Sequence, residues 1–268
     1  MTSPPGMRSD ARTVAGLARL DRVRTLLRLA VLLGCFAPVL LAPAFAQRPE
    51  EPQAPQFDVA AVTPFRDSFA LVLGQARGWH VYAMERTATG FLFRDRFSLG
   101  PANNGSAEVL LDSQLKPIRV QSSGLTFGMS SNAEVHYVGQ RASGFESRLT
   151  RSGPTRISID TVLPSGSFDN LALMELILTL DWHPGAQYAL TMFYIDEGSI
   201  TTQRLTVVGE EHIIIPIGSR NVFRADLTDL TDTTTEAAVS IWVTTTKPHR
   251  IVKVRSAIEE TVLVAPSP

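Results

Sequence analysis

The sequence predicts a mainly β protein, a long antiparallel meander curved into a half-barrel or roll, with one apolar α-helix packed on or across it. Three observations predict this fold class. From Phe65 onward, short segments alternate between apolar and polar residues with a period of two. Gly, Asn, Ser and Pro separate these segments at short intervals. Strand patterns do not alternate regularly with long helical patterns along the sequence, so a parallel α/β sheet is not expected.

The alternation is clearest in three segments, at residues 91–99, 156–163 and 239–243. In the first of them the odd positions carry Phe91, Phe93, Asp95, Phe97 and Leu99, whereas the even positions are mostly polar. Successive side chains of a strand point to opposite faces, so each segment has one dry face and one wet face. About a dozen such segments fit this template between residues 67 and 263.

Turn signals divide the segments from one another. Asn104-Gly105 predicts a hairpin turn of type I′, in which both central residues need a positive φ. Lys116-Pro117, Ser165-Gly166 and Lys247-Pro248 predict further corners.

One segment, at about residues 168–180, has the composition of a helix. Ser167 or Asp169 can cap its N-terminus, and Pro184-Gly185 ends it. The segment is apolar on nearly all sides, and a helix of that kind is buried. We interpret it as a plug of the core, in preference to a lid over an apolar cavity.

The first 46 residues have the pattern of a secretory signal peptide. Six arginines precede an apolar run of about 13 residues, which is short for the ~30 Å of a bilayer core. The run ends at Ala44-Phe45-Ala46, a small-residue cleavage site. Leu32-Leu33-Gly34-Cys35 also fits a lipobox, but apolar residues continue past Cys35 where a polar tether would follow, so we do not expect a lipid anchor there.

The rest of the chain divides into three parts. Residues 47–64 are rich in Pro, Gln and Glu and predict a flexible leader. Residues 65–263 predict a single antiparallel β domain, and residues 264–268 a disordered tail. With the signal peptide removed we expect no transmembrane span and a periplasmic or secreted location.

A series of turn and strand motifs in residues 65–263 resembles a family of exported Gram-negative bacterial domains of unknown function. The resemblance implies a half-barrel or roll of antiparallel strands, similar in shape to periplasmic lipoprotein carriers. It implies no catalytic residues. The motifs are Leu110-Leu111-Asp112, Leu115-Lys116-Pro117-Ile118, Leu180-Asp181-Trp182-His183-Pro184-Gly185, Thr206-Val207-Val208-Gly209-Glu210-Glu211, Ile215-Pro216-Ile217-Gly218-Ser219, Val222-Phe223-Arg224-Ala225, Ile241-Trp242-Val243 and Arg250-Ile251-Val252-Lys253-Val254.

Composition and motifs argue against several classes of function. The net charge of −1 gives no electrostatic drive for nucleic-acid binding, and one cysteine excludes disulfide scaffolds and Cys-based metal sites. The five histidines do not have metal-ligand spacing. Walker, G-x-G-x-x-G and G-x-S-x-G motifs are missing from the sequence. We therefore predict no catalytic residues, no metal and no cofactor.

Asp95 is the anomaly of the sequence, because it falls on the apolar face of its strand. A buried carboxylate is costly unless it is paired, so we expect a local bulge or a partner such as Arg86 or Arg148. If the roll is open, Asp95 becomes a polar anchor at the mouth of an apolar cavity. The candidate ligand-binding residues are Trp79, Tyr82, Phe91, Phe93, Asp95, Phe97, Met174 and Trp242.

These observations predict an exported envelope protein that acts as a non-catalytic binding or structural module. The expected partner is an apolar or lipid-like molecule, or another envelope protein. The alternative is a periplasmic hydrolase whose Asp and Glu acid–base residues are dispersed over several strands, a spacing that sequence does not reveal.

Overall fold

The computed structural model describes residues 52–230 and 238–265. The predicted signal peptide, with Cys35, lies outside these residues, as do residues 47–51 of the predicted leader and residues 266–268 of the predicted tail. The described residues belong to one compact unit, Arg48–Pro268.

Fifteen strands of the described residues form one open sheet. Their spatial order is β8-β7-β6-β5-β4-β3-β2-β1-β15-β14-β13-β12-β11-β10-β9, so the sheet is a meander whose first and last strands pair in its middle. The strands are β1 (Phe65–Leu73), β2 (Ala76–Arg86), β3 (Gly90–Ser98), β4 (Asn103–Asp112), β5 (Pro117–Thr126), β6 (Met129–Val138), β7 (Arg141–Thr150), β8 (Gly153–Val162), β9 (Phe168–Asp169), β10 (Gln187–Tyr194), β11 (Ser199–Ile215), β12 (Gly218–Asp229), β13 (Val239–Thr244), β14 (Ile251–Ser256) and β15 (Glu259–Ala265).

The predicted mainly β fold class is confirmed. Every neighbouring pair of strands is antiparallel except β9 and β10, which pair in parallel over two residues. The period-two pattern is visible in β4, where Ala107, Val109 and Leu111 are buried and the residues between them are half-buried. One face of the sheet therefore carries the core, and the other faces outward.

The predicted helical segment is present, but it is broken into short pieces. Phe168 and Asp169 form β9, and the following residues form two 3-10 helices, Asn170–Ala172 and Ile177–Thr179, on either side of a four-residue α-helix, α1 (Leu173–Leu176). The carboxylate of Asp169 caps this segment by accepting a hydrogen bond from the backbone N–H of Leu171 at 2.9 Å. None of the helices in the described part of the chain has the length and apolar character that crossing a membrane requires.

The helical segment packs on the inner face of the curved sheet and touches both halves of it. Leu176 and Ile177 are almost fully buried in the core. Toward the first half, the hydroxyl of Tyr137 on β6 donates a hydrogen bond to Asp169. Toward the second half, Trp182 follows the segment and donates from Nε1 to the carbonyl of Ile177, and its ring centroid lies 6.3 Å from that of Phe223 on β12. The segment thus links distant strands across the inside of the sheet.

Residues 52–64, expected to be part of a flexible leader, run along the domain and contact it. Gln53 forms a parallel bridge with Tyr188 on β10. Phe57 packs edge-on against Phe168 with ring centroids 5.6 Å apart, and Val62 is buried. Together with Val59, which also packs against the core, these side chains give the segment enough burial to dock.

The turn predicted at Asn104-Gly105 is misplaced, because both residues lie inside β4. The chain reverses earlier, where the backbone N–H of Asn103 bonds to the carbonyl of Gly100. Gly105 is needed for another reason, because a Cβ built on it would lie 2.6 Å from the ring of Phe97. The glycine makes room for an aromatic ring from the neighbouring strand, and close approach of another group is a common reason for glycine within a strand.

Candidate functional site

The inner face of strands β2–β7 is organised in three rows of side chains that run across the strands. The row closest to the core is wholly apolar, and each of its members is almost fully buried. Adjacent members face each other in the strand register, which makes the row continuous across five strands. Its residues are Met84, Phe93, Val109, Val120 and Val135.

The next two rows combine very small side chains in the middle with large or charged ones at the ends. Their middle positions, on β4, β5 and β6, are glycine, alanine or serine. The second row is Tyr82, Asp95, Ala107, Ser122, Ala133 and Glu146. The third row is His80, Phe97, Gly105, Gly124, Ser131 and Arg148.

This arrangement leaves a cleft of about 350 Å³ above the small residues. Asp95 and Phe97 line it from β3, and Glu146 lines it from β7. Asn170 and Leu171 of the helical segment cover it on one side, together with residues 195 and 196 after β10. The volume is at the lower end of the ~300–1,000 Å³ typical of small-molecule sites.

Asp95 is paired with a histidine, in contrast to the expected bulge or arginine. The register of β3 is regular on both sides at this position. Nε2 of His80 lies 2.5 Å from Oδ1 of Asp95, and the His80 ring packs 4.2 Å from the ring of Tyr82. Of the two arginines considered, Arg86 stacks over Phe91 at 4.9 Å, and Arg148 binds Glu146. Asp95 therefore enters the cleft as one half of a hydrogen-bonded pair.

Glu146 forms the opposite wall of the cleft. Its side chain is 5% exposed, and Oε1 accepts a hydrogen bond from Nε of Arg148 at 2.5 Å. The other oxygen, Oε2, is buried and has no hydrogen-bond partner among the described residues. Arg148 also donates to the backbone carbonyl of Asp196, so that it ties β7 to the turn that covers the cleft. Its hydrogen bond to Glu146 raises the pKa of Arg148, which stays charged.

A second, smaller cavity of about 20 Å³ lies below the helical segment, with Glu175 and His249 in its lining. Both oxygens of Glu175 and Nε2 of His249 are buried without a hydrogen-bond partner in the described residues. Burial, and then the charge of Asp95, raises the pKa of Glu175 well above its usual range. Burial lowers the pKa of His249, whose Nδ1 lies 2.8 Å from the carbonyl of Thr244. Both shifts favour the neutral forms of these side chains.

The eight candidate residues from the sequence occupy three different environments. Asp95 and Phe97 line the cleft. Tyr82, Phe91 and Phe93 face the same side of the sheet but are buried in the core, and Met174 packs against that core from α1.

The two tryptophans among these candidates lie away from the cleft, on the outer face of the sheet. Trp79 is 49% exposed on β2 and alternates with the inward-facing His80. Trp242 alternates with the buried Ile241 and Val243 on β13, and its Nε1 donates to Glu211 at 2.8 Å. The cleft thus contains two of the eight candidates.

Most residues of the cleft were not anticipated from the sequence. Glu146, Asn170, Leu171 and the residues after β10 are far apart in the chain, and topology alone brings them together. A weak signal existed in the small residues of three consecutive strands, at 105–107, 122–124 and 130–133. Small residues weaken a strand, so their repetition at matched positions of three strands indicates that another group approaches the sheet closely there.

The described residues, 52–230 and 238–265, contain no group of three His, Cys, Asp or Glu side chains able to hold a metal ion. Two of the three carboxylates that line the cleft are instead engaged by neighbouring nitrogen groups, Asp95 by His80 and Glu146 by Arg148. The cleft therefore offers hydrogen-bond acceptors, hydroxyl groups and apolar surface to whatever enters it.

Comparison with known proteins gives one match. No curated protein and no solved structure matches the sequence. A family model described as "Protein of unknown function (DUF3108)" matches residues 69–261, from β1 to β15. Because that match covers most of the chain and the whole cleft, this protein is a member of the DUF3108 family.

Proposed function

We propose that this protein is an exported binding module whose inner cleft holds a small amphipathic molecule. The observation that carries the proposal is the floor of Gly105, Ala107, Ser122 and Gly124, which leaves open a space that larger side chains would fill in an ordinary core. Sheet interiors are normally packed to a density that leaves few voids larger than a water molecule.

The lining gives the class of ligand. Phe97, Leu171 and Ile195 offer apolar surface, and the hydroxyls of Ser122 and Ser131 with the carboxylates of Asp95 and Glu146 offer polar contacts. A purely apolar ligand would bury these polar groups without partners, at a cost of about 1–3 kcal/mol for each group. A molecule with one apolar and one polar end satisfies both parts of the lining.

Hydrolysis by a carboxylate pair has less support from the geometry. Asp95 and Glu146 stand on β3 and β7, and β4, β5 and β6 lie between them. Four strand spacings amount to about 19 Å along the sheet, compared with ~5–10 Å between the carboxylates of glycoside hydrolases. The two groups are better placed to contact different parts of one ligand.

The binding proposal is tested with N-phenyl-1-naphthylamine, an uncharged fluorophore with two aromatic groups joined by one N–H donor. We expect saturable binding with one site per chain. Ser122→Phe fills the floor of the cleft and should weaken binding at least tenfold. Gln121→Phe, on the opposite face of the same strand, is the matched control and should bind as the wild type does. Equal binding by all three proteins would show that the cleft is not the site.

Export is tested separately, because its support is the pattern of the first 46 residues. The full chain is expressed in a Gram-negative host, and the N-terminus of the periplasmic product is sequenced. We expect the mature chain to begin at Gln47. Retention of the complete chain in the cytoplasm would refute this part of the proposal.

A further inference from the structure

We propose that the polar end of the ligand is a protonated primary or secondary amine that donates a hydrogen bond to Oε2 of Glu146. This inference rests on the proposed binding function and adds the chemical class of the ligand. It depends on the one carboxylate oxygen in the cleft that is buried and unpartnered among the described residues.

The position of Glu146 explains why a donor is needed there. The side chain is 95% buried, with 5% exposed, and it forms a wall of the cleft. Its Oε1 already binds Arg148, whereas Oε2 is buried and has no partner among the described residues, so a ligand N–H reaches it through a small rotation of the side chain. A buried carboxylate oxygen without a partner is costly, and a ligand N–H removes that cost on binding.

The charge of the lining favours a cation over a neutral donor. Three carboxylates line the cleft, those of Asp95, Glu146 and Asp196. Arg148 is a full positive charge in contact with one of them, and His80, next to Asp95, is charged only if it is protonated. An anionic ligand would meet like charges on both walls, whereas an ammonium group is attracted to them.

The apolar part of the ligand has a defined place at the other end of the cleft. Phe97 lies over Gly105 on the β3 side, and Leu171 of the helical segment lines the same space. An amine with an aromatic or alkyl tail therefore fits with the nitrogen toward β7 and the tail toward β3. This orientation makes Glu146, and not Asp95, the residue that selects the amine.

The test compares three dansyl probes that share the same fluorophore and a similar alkyl chain. Dansylcadaverine ends in an ammonium group, N-pentyl dansylamide ends in a methyl group, and N-dansyl-6-aminohexanoate ends in a carboxylate. We expect dansylcadaverine to bind the wild-type protein about tenfold more tightly than the neutral probe, the usual effect of one charge-assisted hydrogen bond. The carboxylate probe should bind most weakly.

Variants assign the preference to one residue. Glu146→Gln should abolish the tenfold preference, so that dansylcadaverine and the neutral probe bind the variant with equal affinity. Glu134→Gln, a half-buried carboxylate paired with His136 on the outer face of β6, is the matched control and should keep the preference. If Glu146→Gln does not fold, the salt dependence of the wild type replaces it: raising NaCl from about 50 to about 500 mM should weaken dansylcadaverine and not the neutral probe.

The outcomes separate the two proposals. Equal affinity for all three probes, blocked by Ser122→Phe, would overturn the amine inference and leave the binding function in place. Tighter binding of the carboxylate probe, or an undiminished preference in Glu146→Gln, would also overturn the inference. Failure of every probe to bind the wild type would overturn both.

Discussion

The hydroxyl of Tyr137 on β6 donates a hydrogen bond to the buried carboxylate of Asp169, which lies across the inside of the sheet at the start of the helical segment. The same carboxylate accepts the backbone N–H of Leu171 at 2.9 Å. One side chain therefore caps the helical segment and fastens it to the strand that forms part of the cleft. This contact fixes the position of Asn170 and Leu171 above the small-residue floor.

Asp169 should make the stability of the protein depend on pH. Burial raises the pKa of Asp169 from 3.8 to about 6, against the opposing effect of its two hydrogen bonds. The folded state then holds a proton that the unfolded state releases, so this contribution to stability falls as the pH rises from about 4 to about 6. A rise of about two units corresponds to roughly 3 kcal/mol. Asp169→Asn keeps an acceptor for the N–H of Leu171 and can donate to the hydroxyl oxygen of Tyr137, and it should flatten the urea-unfolding free energy over that range.

Tyr137→Phe is the companion to this experiment. It removes the donor to Asp169 and should destabilise the fold by about 1–3 kcal/mol, since a buried acceptor loses its partner. An Asp169→Asn protein whose unfolding free energy follows the same pH curve as the wild type would contradict the assignment.

Glu175 is a candidate for a stabilising replacement. Burial, and then Asp95, raises the pKa of Glu175 well above its usual value, and neither oxygen has a partner among the described residues. Its proton must be held in the folded state, so stability falls as the pH rises above about 4.5 toward the pKa in the folded state. Glu175→Met, of similar volume, should raise stability by about 1–3 kcal/mol at about pH 7.5. Thermal unfolding at pH values of about 4.5 and about 7.5 measures this.

The gain from Glu175→Met should be smaller at the lower pH than at the higher one. Glu210→Met, which removes an exposed carboxylate from β11, is the control for the loss of a negative charge. A destabilised Glu175→Met protein at both pH values would show that Glu175 makes a favourable interaction inside the core.

Two glycines of the inner face should respond differently to alanine. A Cβ on Gly144 would lie 2.0 Å from the backbone carbonyl oxygen of Glu134, and strand backbone moves only with its neighbours. A Cβ on Gly105 would meet the ring of Phe97 at 2.6 Å, and a ring can turn away. We expect a loss of roughly 2–4 kcal/mol for Gly144→Ala and about 1 kcal/mol for Gly105→Ala. Chemical denaturation gives both values.

The Gly105→Ala protein has a second readout. The displaced Phe97 ring should enter the cleft and weaken the binding of N-phenyl-1-naphthylamine, an effect that a merely less stable protein would not show at low temperature. Unchanged affinity in Gly105→Ala would mean that Phe97 moves outward.

Arg148 should control the mobility of the turn that covers the cleft. It is the donor to both Glu146 and the carbonyl of Asp196. Arg148→Met removes both contacts and leaves the Glu146 carboxylate buried without its partner, so we expect about 1–3 kcal/mol of lost stability. Hydrogen exchange at residues 195–199 should become faster than in the wild type. Arg151→Met, at the exposed end of the same hairpin, should leave exchange at this turn unchanged.

The sequence predicted the strands of this protein better than its cleft. Period-two alternation identified the inward face of β3, including the unusual position of Asp95, because strand geometry is a local property. The partner of Asp95 could not be predicted in the same way: His80 reaches it through the register of β2 against β3, which no local pattern specifies. Asn104-Gly105 was misinterpreted for a related reason, since the need for a glycine arose from Phe97 on the next strand.

The pairing of β1 with β15 also has a consequence for how the protein folds. Leu71 faces Thr261 at this seam, so the strands in the centre of the sheet come from positions 190 residues apart. Strands β1–β8 on one side of the seam, and most of β9–β15 on the other, are neighbouring hairpins that can form early and separately. The seam, in contrast, has to close a very long loop. Assembly of the centre should therefore be the slow step, and until it is complete both β1 and β15 carry an unpaired edge that is open to other chains.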